Sequence, residues 1–170
     1  MPWRNTVRIL FAVHLLTAAG FSLVIPFLPL YVKQLGIESV GNVAFWSGMI
    51  FSAPAITMMI AAPMWGWLAD RYGRKLMLVR STIAGAVILA LMGLAQSAEQ
   101  LALLRALQGT LTGYIAASNA LVSATIPRDH VGASFGFLRT GTWIGIGVGP
   151  LLGGLIGKHF GFRHSFFFTA

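Results

Sequence analysis

Residues 141–157 read GTWIGIGVGPLLGGLIG and place a glycine at every fourth position: Gly141, Gly145, Gly149, Gly153 and Gly157. Pro150 stands in the middle, and the residues between are mostly large and apolar, among them Trp143, Ile144, Ile146, Val148, Leu151 and Leu155. In a water-soluble helix each of these glycines would cost about 1 kcal/mol relative to alanine, and an interior proline about 3 kcal/mol. In a bilayer, small residues at this spacing let helix backbones approach closely, and proline is tolerated. The stretch therefore predicts a membrane helix that packs tightly.

Composition points the same way. Of 170 residues, 56% are hydrophobic and 9% charged, whereas a soluble domain is about 25% charged. The net charge of +8 first suggests nucleic acid. The bases are dispersed, however, and membrane topology explains their placement better. The absence of cysteine excludes a disulfide framework and thiolate metal sites, and no metal or cofactor motif is visible.

Five apolar stretches are long enough to cross a hydrocarbon core, which takes about 20 residues. They fall near 9–31, 44–66, 76–95, 101–123 and 135–157, and a sixth starts near 164. The predicted fold is an all-α polytopic membrane bundle occupying 1–170. Arg4, Arg8, Arg71, Arg74, Lys75, Arg80 and Arg128 lie on one side of these spans, against Lys33, Lys158 and Arg163 on the other. The positive-inside bias then predicts a cytoplasmic N-terminus.

The connection between the second and third spans reads GWLADRYGRK, residues 66–75. Gly66 is expected to allow close helix approach and Gly73 a tight turn. Asp70 stands among Arg71, Arg74 and Lys75, so it should have a specific partner, a nearby base or a helix N-terminus. The segment resembles the loop 2–3 motif of the major facilitator superfamily. Three further stretches agree in order: Leu101, Arg105, Gln108 and Gly109 resemble the fourth-helix motif; Gly145, Gly149, Pro150, Gly153 and Gly154 the antiporter motif of the fifth; Pro26 and Pro29 the Pro-x-x-Pro of drug exporters. Gly161, Phe162, Arg163 and Phe166 resemble the family's entry to helix six.

The resemblance implies twelve helices in two halves, each made of two inverted repeats, of which this chain matches the N-terminal half cut short. It implies a secondary transporter of a prokaryotic inner membrane, not an enzyme, exporting drugs or other amphipathic molecules in exchange for protons by alternating access. Its partners would be lipid, a small-molecule substrate, protons and the missing C-terminal six-helix half. Export of a sugar or metabolite is an alternative, as is an inactive half that needs its partner.

A charge within a span is a functional candidate by default. Arg105 is one, and Gln108, Thr112 and Asn119 follow at three, seven and fourteen residues, which places all four on one helical face. They are expected to line a central cavity, or else to hold the bundle by hydrogen bonds. In the resembled family an arginine here is associated with proton coupling. Arg139 is either a second cavity base or a snorkelling one. The resemblance also suggests that Arg74 pairs with Asp129 across neighbouring connections to latch one conformation.

His14 is either a proton carrier or a histidine satisfied by hydrogen bonds. Where many tetracycline-type exporters carry an acid, this chain has Thr17. All four acids, Glu38, Asp70, Glu99 and Asp129, fall in loops or at helix ends. The proton carrier therefore stays open: in the missing half, at His14, or absent. Trp46, Trp65 and Trp67 are expected to be interface anchors, and Phe21, Met49, Met58 and Met59 to be packing residues or pocket lining. Finally, a four-residue step overshoots a turn by about 40°, so the glycine ladder should thin the fifth helix on several sides. That helix is expected to pack against several neighbours and to bend at Gly149–Pro150.

Overall fold

The computed structural model describes residues 3–36, 39–160 and 166. Among them there are helices and no strands: α1 (Trp3–Val24), a 3-10 turn (Ile25–Phe27), α2 (Leu28–Gln34), α3 (Val40–Tyr72), α4 (Arg74–Gly93), α5 (Ala98–Leu111), α6 (Tyr114–Thr125) and α7 (Arg128–Phe160). The first expected span is α1 continued through the turn into α2. Pro26 sits in that turn and Pro29 in the first turn of α2, where a missing N–H costs least. The second, third and fifth spans are α3, α4 and α7. The start of the sixth near 164 lies outside the described residues, apart from Phe166, which is buried with its ring 5.2 Å from that of Tyr31.

The fourth expected span, 101–123, is not one helix. α5 ends at Leu111 and α6 begins at Tyr114. Thr112 is extended, and its backbone N–H and hydroxyl both donate to the Gln108 carbonyl, at 2.8 and 2.6 Å. Gly113 follows at φ +148°, a conformation that only glycine adopts without strain. A side chain competing for the backbone and a glycine beside it are enough to end the helix. Conversely, the bend expected at Gly149–Pro150 does not interrupt α7, which stays helical through Pro150 for 33 residues.

Among the described residues, three stretches are both long and apolar enough to cross a membrane: Trp3–Gln34, Val40–Tyr72 and Arg74–Gly93. α7 has the length. α5 and α6, at 14 and 12 residues, reach it only in tandem. α3 turns directly into α4 at Gly73, whose φ of +95° supplies the expected tight turn.

The most extensive packing joins α1 to α7, and the next joins α3 to α5. The α1–α7 seam is the glycine ladder. A Cβ on Gly141 would meet Phe11; on Gly145, the Leu15 carbonyl oxygen at 2.5 Å; on Gly149, the Ala19 carbonyl and Ser22 Oγ; on Gly153, the Leu23 carbonyl. Both helices thus advance by four residues together and run parallel. This corrects the expectation of several neighbours: four glycines face one helix. The 40° drift per step is absorbed because rows of i±4 residues are inclined to the axis and mate when helices cross at an angle. A period above 3.6 corresponds to a right-handed wrap. Gly147, on another face, has nothing within 4 Å.

Two apolar clusters occupy opposite ends of the bundle. One contains Leu23, Leu28, Tyr31, Ile50, Met92 and Leu101, the other Val7, Leu10, Leu78, Val122 and Leu138. Along the helices that serve both, buried polar residues lie between them: His14 and Ser22 on α1, Ser81 on α4 and Thr142 on α7; α5, in the first cluster, and α6, in the second, add Arg105, Gln108 and Ser118. Outside, long apolar faces are bare. Ile56, Met59, Ile60 and Met64 of α3 are exposed, as are Met49 and Met58, so these methionines of α3 do not pack in the core of this bundle.

Candidate functional site: a buried polar layer

Arg105 is 4% exposed and Gln108 fully buried. The Arg105 guanidinium donates from Nη1 to Gln108 Oε1 at 3.2 Å. Arg105 Nε and Gln108 Nε2 are buried donors without an acceptor. A buried cation needs compensating charge or hydrogen bonds, yet every described acid is exposed. The pair therefore forms a positive, under-filled donor site at the end of α5. Gly109 lets α5 approach α3: a Cβ there would meet the Pro54 carbonyl and Thr57 Oγ1. Thr57 donates to the Ala106 carbonyl at 2.7 Å, which fixes how α5 is rotated.

The polar stripe expected from Arg105 to Asn119 is divided by the Thr112–Gly113 break, which resets the helical phase. Thr112 stays with Gln108. Asn119 instead joins His14, Phe135, Leu138 and Arg139 around a cleft of about 230 Å³. His14 is 3% exposed; its Nδ1 is 3.1 Å from Thr142 Oγ1 and its Nε2 2.9 Å from Ser118 Oγ. Both ring nitrogens are thus engaged, and hydroxyls suit either role. Arg139 is exposed at the cleft.

On the other connection, Arg74 Nη2 lies 3.7 Å from Asp70 Oδ1, and Nη1 donates to the Ala120 carbonyl at 2.8 Å. This corrects the expected Arg74–Asp129 pair: Asp129 sits exposed in the first turn of α7, where an acid favours the helix N-terminus. Asp70 has its nearby base. Arg71 lies over the rings of Trp67 and Tyr72, and Lys75 is exposed. Gly66 does not mediate helix approach in this chain; nothing lies within 4 Å of its Cβ position. Gly154 touches only Phe27, at 3.8 Å.

Sequence reading missed Ser22, Ser118 and Thr142, which bond His14 or the α1–α7 seam; Ser22 Oγ donates to the Gly145 carbonyl at 3.1 Å. Small hydroxyls inside apolar spans were the available signal. It also missed Trp65, expected at an interface: its Nε1 donates to the Thr110 carbonyl at 2.6 Å.

A bundle of apolar helices, closed by a glycine seam and carrying a buried arginine in its polar layer, is the build of a multi-pass membrane protein. The chain belongs to the Major Facilitator Superfamily, whose model matches residues 10–170; its members are transporters and not enzymes. The chain is 46% identical over 168 residues to the multidrug resistance protein MdtG of Salmonella arizonae, covering 99% of this chain and 42% of that protein. The MdtG proteins of Salmonella paratyphi B and Salmonella newport match with the same identity and coverage. The chain thus spans less than half the length of these curated relatives.

Proposed function

We propose that this chain is the N-terminal half of a secondary transporter that exports drugs or other amphipathic molecules in exchange for protons. The observation that carries the reading is Arg105, a buried guanidinium with an unfilled donor and no described acid beside it. In a low-dielectric site its interaction with a proton-carrying group or a charged substrate is strong. Gln108 orients it, and Thr112 ends the helix that presents it. His14, Asn119 and Arg139 line the neighbouring cleft toward the α1–α7 seam. The 66–75 connection, with Gly73 turning the chain and Arg74 tying α4 to α6, acts as the cytoplasmic gate, the N-terminus being cytoplasmic and the membrane a bacterial inner one. The identity to proteins named for multidrug resistance supports drugs as the substrate class. A C-terminal half completes the central site, and alternating access follows from rocking the two halves.

The test uses protein from the complete reading frame in proteoliposomes, with an imposed pH gradient and a panel of cationic drugs. Drug should accumulate with the gradient and cease to do so on adding a protonophore, and Arg105→Ala should lose the gradient dependence. Movement indifferent to the gradient contradicts proton exchange and leaves the fold untouched.

A further inference from the structure

Arg80 lies within α4, and no contact described above involves it. It is half-buried on α4, and its Nε is buried without a hydrogen-bond acceptor. Its guanidinium carbon lies 3.3 Å from the centre of the Trp65 ring, a face-on cation–π stack. Trp65 belongs to α3, and at the edge of its ring Nε1–H donates to the Thr110 carbonyl of α5. Three helices are therefore joined through one indole ring.

The place they meet is the end of α5. The last four carbonyls of a helix have no partner within it. Where a helix continues, the next turn supplies one; here the chain breaks at Thr112–Gly113 instead. Gln108's carbonyl is taken by Thr112, and Thr110's by Trp65. The break is thus held from outside the segment, by a side chain that Arg80 clamps from above. A cation over the indole face also draws electron density from the ring and sharpens N–H as a donor, the mutual strengthening expected of linked polar contacts.

We propose that Trp65 and Arg80 are positioning residues of the transport reaction: they hold the fourth-segment break and so set the direction in which α5 presents Arg105 and Gln108. This rests on the function proposed above. Neither residue needs to touch substrate.

Residues 1–170 have no cysteine, so Ile115→Cys, an exposed position just past the break, introduces one thiol into this half, on a background in which any cysteine of the remaining chain is replaced by serine. Its maleimide labelling rate reports the break, and the pH profile of drug–proton exchange reports Arg105. Both are measured on protein from the complete reading frame. Trp65→Phe and Arg80→Gln should each change the labelling rate by roughly fivefold, the effect of losing one hydrogen bond, and each should shift the pH profile. The double variant should do no more than either single one, and Arg80→Lys should restore most of both. Trp143→Phe, an exposed ring on α7, should change neither.

Should Arg80→Gln fail to reach the membrane, Trp65→Phe decides, because it keeps the ring and removes the N–H. Unchanged labelling overturns the proposal, and so does changed labelling with an unchanged pH profile, which would make the pair merely structural. If the unsubstituted protein shows no gradient dependence, the proposed function falls. Labelling then still decides whether Trp65 and Arg80 hold the break.

Discussion

His14 shows what a single buried polar residue does here. Both of its ring nitrogens meet hydroxyls, from Ser118 on α6 and Thr142 on α7, so it ties three helices together. Stranding buried polar partners costs about 1–3 kcal/mol. His14→Ala should lower detergent-solubilised thermal stability by that amount, while Asp129→Asn, at an exposed helix start, should leave it within about 0.5 kcal/mol. An unchanged melting temperature for His14→Ala would contradict the tie. That His14 is a residue of interest was legible from its type and its place within a span. Its partners were not, since they come from 104 and 128 residues away. For the same reason Arg74's acceptor at Ala120 was out of reach, a backbone carbonyl carrying no mark in the sequence.

At the scale of elements, α7 and the fourth segment teach opposite lessons. The glycine ladder of α7 was read correctly as a close-packing surface. Its single partner is not legible in one helix alone, because the drift of the i±4 row is taken up by the crossing angle of the neighbour. Gly149→Ala would push a methyl group into Ser22 and the Ala19 carbonyl, and overpacking costs about 1–3 kcal/mol. Gly147→Ala, two residues away in open space, should be neutral or stabilise the helix by up to about 1 kcal/mol. Equal effects at the two positions, measured by thermal unfolding of the purified variants, would contradict the one-sided seam. In the fourth segment, continuous hydropathy hid the break. Its signal was local, a Thr–Gly pair, and it competed with a proline at position 150 that the helix accommodates. Gly113→Ala should cost about 1–3 kcal/mol through strain alone, read in the same unfolding assay.

For the whole molecule, the bundle is two tight pairs, α1 with α7 and α3 with α5, joined by α4 and α6. Membership of the family, the helical class and four of the five segments were legible because hydropathy and motif spacing are properties of the chain itself. Which polar residues share a cleft depends on helix rotation, and that is fixed by contacts such as Thr57 with Ala106 and Gly109 with Pro54. The bare apolar faces of α3 suit a cover of lipid, and in the function proposed above also a second half. The central claim, that Arg105 couples drug movement to protons, is tested most directly by the proton itself. Liposomes containing protein from the complete reading frame and an internal pH dye should show a pH change on adding drug, absent with Arg105→Gln. Drug transport with no pH change, or the same pH change from Arg105→Gln, would contradict it.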